Sequence, residues 1–277
     1  MDEKGNQHGR SGPPGRHGCS SPPGVELGRE QGSSQESWLL LRYRPTSLFS
    51  LRMTHATNKG GRTLLVPTPY AFKLALVDAA FRAWPGREAL LRAQDVFRTV
   101  AGLTIRFSPP DSAVVQHTFI KVRQARRDSA PGLYEPTIVF REYVHYRGDL
   151  TVAVAAPTLS AKQLADLTRA GAHVQYIGKR GSFFQYLGSE IYKGPLPPGF
   201  TAPESPQALL TGWYGSTQYL DDFAVELSRQ RDAWDRVSTY GSKPLRLGKD
   251  RVLVRTLLPY RVKAEGHSFT AYERPRR

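Results

Sequence analysis

Residues 137–177 read TIVFREYVHYRGDLTVAVAAPTLSAKQLADLTRAGAHVQYI, and three periodicities follow one another within them. Residues 137–146 alternate, which is the period of a half-buried strand. Residues 150–155 alternate less and are almost all apolar, which reads as a second strand. Arg147-Gly148-Asp149 joins the two, and so short a Gly-containing link predicts a hairpin. Ser160 then caps a helix whose apolar positions, Leu164 and Leu167, are three apart, and Gly171 closes it. Val174-Gln175-Tyr176-Ile177 predicts a further strand.

Upstream, Trp38-Leu39-Leu40-Leu41-Arg42-Tyr43 is a short apolar run that reads as a buried strand. In Val66-Pro67-Thr68-Pro69, Thr68 is a candidate N-cap and Pro69 a first helical residue. The helix they open (Phe72, Leu74, Ala75, Leu76, Ala79, Ala80, Phe81) has little polar face and is expected to be buried. Trp84-Pro85-Gly86 ends it, and a second helix is expected over 87–100. Residues 103–107 and 117–122 alternate like strands.

In order this is strand, helix, strand, strand, helix, strand. The expected fold is therefore α+β: a ferredoxin-like or RRM domain of split βαβ order over 37–190, with an insert at 103–136. Such sheets expose one face, across which single-stranded RNA can lie. Residues 1–36 are Gly, Ser, Pro and Gln with almost no large apolar side chains, and a disordered tail is expected. Residues 191–277 hold strand signals at 251–254 and 267–272 and a partly helical stretch at 213–234, read as a β-containing extension or small domain.

Lys and Arg number 39 against 24 Asp and Glu in 277 residues, a formal net charge of +15. Residues 1–36 hold four basic and five acidic residues, so the remainder carries 35 and 19 and all of the excess. A folded surface so basic, with an isoelectric point of about 10.1, attracts polyanions, nucleic acid before membrane. The single cysteine, Cys19, excludes a disulfide framework and a cysteine-rich zinc site, and points to a reducing, cytoplasmic setting. No run of about 18 apolar residues offers a membrane span. No cofactor is called for.

The most specific segment is Tyr176-Ile177-Gly178-Lys179-Arg180-Gly181-Ser182-Phe183-Phe184, a strand running into a Gly-bracketed turn with two cations and then two aromatics. Gly178 and Gly181 let backbone N–H groups approach a phosphate closely, and Lys179 and Arg180 supply charge. Phe183 or Phe184 offers a ring on which a base can stack, while one of the two should point inward. His173 stands where a nucleotide-triphosphate loop needs glycine, and Arg180 where it needs Ser or Thr. A second segment, 52–62, holds Arg52, His55, Lys59 and Arg62 without a carboxylate, as suits a loop tracking a phosphate backbone. Lys121, Arg123, Arg126 and Arg127 form a third basic group, better read as a solvated face.

Ser50-Leu51-Arg52 after the first strand, then Val66-Pro67-Thr68-Pro69-Tyr70 opening a buried helix, resemble the start of the Cas-five members of the RAMP superfamily. Ile177-Gly178-Lys179-Arg180 resembles the later Gly-basic-basic element of that family, so the resemblance covers residues 38–190. It implies a non-catalytic RNA-binding subunit of a type I CRISPR surveillance complex in antiviral defence. Such a subunit grips the 5′ handle of the guide RNA, caps the filament of backbone RAMP subunits and contacts the large subunit, meeting target DNA only indirectly. By matched position, Arg52, His55, Lys59 and Arg62 would lie near the handle, with Gly178 to Gly181 as the second grip.

One subtype of the family cleaves precursor guide RNA without metal, which needs a general base, an acid and a cation. His55, His117, Lys121, Tyr143 and His145 are the candidates, although each lone histidine is more simply a hydrogen-bonded surface residue. Chelator-resistant cleavage of repeat RNA would mark that alternative; a nuclease-resistant complex without RNA would mark an architectural protein that binds an acidic partner. Asp221-Asp222 is read as the start of a helix, where its charge suits the dipole, and not as a metal site.

Overall fold

Thr68 accepts a hydrogen bond from the Ala71 amide at 3.0 Å and Pro69 takes the first helical position, so helix α1 (Pro69–Ala83) begins where the Thr-Pro pair predicts. A computed structural model describes residues 36–56, 60–125, 134–211 and 213–275, so the expected tail falls outside the described residues up to residue 35. Before α1 come strand β1 (Ser37–Pro45) and the two-residue β2 (Gly60–Gly61). After it come α2 (Ala89–Val100), β3 (Ile105–Ser108), β4 (Ser112–Ala125), β5 (Tyr134–Tyr146), β6 (Leu150–Ala155), α3 (Ala161–Ala172) and β7 (Phe184–Lys193). The C-terminal third holds β8 (Ala202–Pro203), α4 (Pro206–Leu210), β9 (Ser216–Phe223), α5 (Val225–Ser228), α6 (Ala233–Val237), β10 (Arg251–Leu258), β11 (Arg261–Gly266) and β12 (Phe269–Glu273). The architecture is α+β.

A four-stranded antiparallel sheet in the order β3-β6-β1-β7 carries the core. Leu39, Leu41 and Tyr43 of β1 share a face with Val154, Val152 and Leu150 of β6 and are fully buried with Phe72 and Leu76 of α1. α3 presses closely on that face, because a Cβ on Gly171 would come within 2.9 Å of the Leu41 side chain. Gly171 therefore serves close approach inside the helix, which runs to Ala172. The start of α3 is a capping box, with the Gln163 amide donating to Ser160 Oγ at 3.2 Å and the Ser160 amide donating to Gln163 Oε1 at 3.0 Å.

On the opposite face Leu40 and Ala153 are covered by Phe200, with Trp38, Tyr192 and Leu196 around them. The face expected to lie open to RNA is therefore closed there by the chain that follows β7.

Two expectations are corrected by the pairing. Residues 137–146 and 150–155 do not form a hairpin: β5 pairs with β4, while β6 pairs with β1 and β3. Arg147-Gly148-Asp149 is instead a corner between sheets, held by the Arg44–Asp149 ion pair at 2.7 Å. Residues 174–177 are not the strand beside β1; that place belongs to β7 (Phe184–Lys193). Residues 213–234 are helical in part, at α5 and at the start of α6, while β9 occupies Ser216–Phe223. β4 and β5 form a long ribbon in a five-stranded sheet of order β11-β12-β4-β5-β2, so the C-terminal strands complete it. β8, β10 and β9 make a third sheet. Among the described residues no helix is long and apolar enough to cross a membrane.

Candidate nucleic-acid interface

The first basic segment is held in a short clip. Arg52 bridges Thr63, the Leu64 amide donates to the Leu51 carbonyl at 2.8 Å, and the Met53 amide donates to the Arg62 carbonyl at 3.0 Å. The clip is anchored from within, since the Thr63 amide donates to Glu142 Oε2 at 2.8 Å and Glu142 is buried. Leu51 and Leu64 are buried, which leaves Arg52, His55 and Arg62 exposed around them. Lys59 lies outside the described residues.

The second segment is a tight turn. The Phe184 amide donates to the Gln175 carbonyl at 2.9 Å, the Ile177 amide to Ser182 at 3.2 Å, and the Ser182 amide to Lys179 at 3.0 Å. Gly178 has φ +75° and Gly181 φ +98°, backbone that favours glycine. Gly178 also lies against the clip: a Cβ there would come within 2.6 Å of the Leu51 side chain. Lys179 and Arg180 are exposed, and neither forms an ion pair among the described residues.

Phe183 is 51% exposed and Phe184 3%, so the pair divides as its sequence suggests. Phe184 stacks on Phe49 in the core with ring centroids 5.4 Å apart, and is withdrawn as a base-stacking residue.

The two segments meet. A cleft of about 200 Å³ is lined by Leu51 and Arg52 from the clip and by Gly178 and Lys179 from the turn. Tyr70 and Ala71 from α1 complete it with Asp221 and Arg251 from the C-terminal third. Arg62, Arg180 and Phe183 lie outside this lining. Arg62 is within electrostatic reach of Tyr272, whose hydroxyl is pushed up mainly by burial while Arg62 acts in the opposite direction.

Sequence reading missed Tyr70, Asp221 and Arg251. Asp221 and Asp222 lie on strand β9, not at a helix start. Asp221 is 4% exposed and forms an ion pair with Arg251, while Asp222 meets Lys73 at 2.7 Å. Asp222 alone had a signal in the sequence: Lys73, a cation set between Phe72 and Leu74, demands a partner from elsewhere.

The five residues considered for cleavage do not converge. Side chains alternate across a strand, and His117 opposes Glu142 in the β4–β5 register, whereas Tyr143 opposes Gln116 and His145 opposes Val114. His117 and Lys121 therefore occupy one face of the ribbon, Tyr143 and His145 the other. His117 is engaged locally, 3.9 Å from Glu142 and 3.4 Å from Thr270 Oγ1. His55 sits apart, in the clip segment. Lys121 and Arg123 are exposed on the face that also presents Phe119; Arg126 and Arg127 lie outside the described residues.

No protein-family model matches the chain. It is 28% identical over 118 residues to the CRISPR-associated protein Cas5 of Archaeoglobus fulgidus. That stretch is 42% of this chain and 50% of the relative, so the chain spans about half the length of the curated relative it matches. A crystal structure of a CRISPR protein from Archaeoglobus fulgidus aligns with TM-score 0.42 and 11% identity, over 87% of this chain and 92% of that one. A chain of a CRISPR RNA-guided surveillance complex aligns with TM-score 0.38 and 16% identity, over 79% and 88%.

Proposed function

We propose that this chain, a CRISPR-associated protein related to Cas5, is a non-catalytic RNA-binding subunit of a type I surveillance complex in antiviral defence. It grips the 5′ handle of the guide RNA, caps the filament of backbone RAMP subunits and contacts the large subunit, meeting target DNA only through the guide. Its setting is the cytoplasm.

The observation that carries the proposal is the meeting of Arg52 and Lys179, far apart in sequence, on one cleft. The sheet order β3-β6-β1-β7, with α1 and α3 on one face, supports a split βαβ, RRM-like domain. Because Phe200 covers the other face around Leu40, the strand of RNA passes at the loop ends, where the clip and turn meet. The formal charge of +15 supplies the long-range attraction.

Filter binding of the purified chain to repeat-derived RNA tests the proposal. Salt-sensitive binding is expected, alone or with partner subunits. A nuclease-resistant complex that copurifies without RNA, and no salt-sensitive binding in either form, contradicts it.

A further inference from the structure

The C-terminal third lies outside residues 38–190, which carry the sequence resemblance, yet it supplies two residues of the cleft. Arg251 opens β10, and its guanidinium lies 4.0 Å from the centre of the Tyr70 ring. Asp221 on β9 holds the same guanidinium in an ion pair. Tyr70 is fixed in turn, edge-on to Phe223 with ring centroids 5.0 Å apart. It stands in the first turn of α1, immediately after the Pro69 that starts the helix, so the helix entry delivers the ring to the cleft.

A tie between β10 and α1 would not need this exposure. Lys73, from the same helix, makes such a tie to β9 at 1% exposure, whereas the Arg251 side chain keeps 25% and lines the open cleft with Arg52 and Lys179. Its Nε is buried without a hydrogen-bond partner. The carboxylate and the ring fix the guanidinium beforehand, so a ligand that meets it loses little further side-chain entropy. Arginine planes and aromatic rings are the groups on which unpaired bases stack.

We infer that Arg251 laid on Tyr70 is a base-stacking ledge: one nucleotide of a bound single strand sets its base on the ledge and its phosphate toward Lys179 and Arg52. Asp221 is a positioning residue that holds the arginine flat. The inference rests on the RNA-binding reading and gives the C-terminal third a part in it.

The test uses the full chain and repeat-derived single-stranded RNA with 2-aminopurine at successive positions. One position is expected to be quenched on binding to the wild type. Arg251→Lys keeps the charge and loses the plane, and Tyr70→Leu loses the ring; each should abolish that quenching and weaken binding about tenfold. Tyr70→Phe should preserve both. Salt-sensitive binding with quenching unchanged in Arg251→Lys and Tyr70→Leu overturns the ledge and leaves the RNA reading intact; absence of binding by the wild type sinks both. Photocrosslinking of 4-thiouridine RNA to the unaltered chain reads the same contact even if a variant fails to fold: adducts on Tyr70 are expected, and adducts confined to other residues overturn the ledge.

Discussion

Lys73 is a cation at 1% exposure in the middle of a helix–sheet core, bonded to Asp222 at 2.7 Å and to the Ala101 carbonyl at 3.0 Å. Burial lowers the Lys73 pKa and raises that of Asp222, and in each case the attraction between them only opposes the larger effect. Desolvation thus outweighs the pairing on both sides, and the pair fixes how α1 meets β9 more than it stabilises the fold. Asp222→Asn, which strands the ammonium, should cost about 3–5 kcal/mol in urea unfolding. Lys73→Met with Asp222→Leu should be near neutral or stabilising; a double variant as damaged as the single would refute this account. Sequence showed the odd cation in Phe72-Lys73-Leu74 but not its partner, because Asp222 reaches it only through the pairing of strands distant in sequence.

Elements with a local signal were legible. Thr68-Pro69 and Ser160 set helix starts through their own hydrogen bonds, and the alternation of β5 follows from one buried face. What failed was pairing between elements. The two strands on either side of Arg147-Gly148-Asp149 carry different patterns, one alternating and one buried on both faces, and they belong to different sheets. A short link suggested a hairpin, but burial on both faces needed the company of β1 and β3. The Gly178–Gly181 turn was legible for the opposite reason, since its glycines answer to local backbone angles. Alanine at either position is strained by positive φ, yet only at Gly178 would a Cβ also meet Leu51. Gly178→Ala should therefore cost about 1–2 kcal/mol or more and weaken RNA binding by shifting Lys179, with Gly181→Ala the milder of the two. Equal thermal shifts for both variants would show that the turn does not rest on the clip.

At the scale of the whole molecule, the fold brings cations from distant segments, Arg52, Lys179 and Arg251, to one cleft. The excess of basic residues was legible from composition, and so were the two segments that carry Arg52 and Lys179. That they share a cleft, and that Tyr70, Asp221 and Arg251 share it with them, depends on the fold of three sheets and had no sequence signal. The salt dependence of RNA affinity tests this convergence most directly, because each phosphate contact contributes about one unit of slope in log K against log salt. Replacing both Arg52 and Lys179 with alanine should lower the slope by about two. A slope equal to that of the wild type would mean that RNA, if bound at all, is held somewhere else.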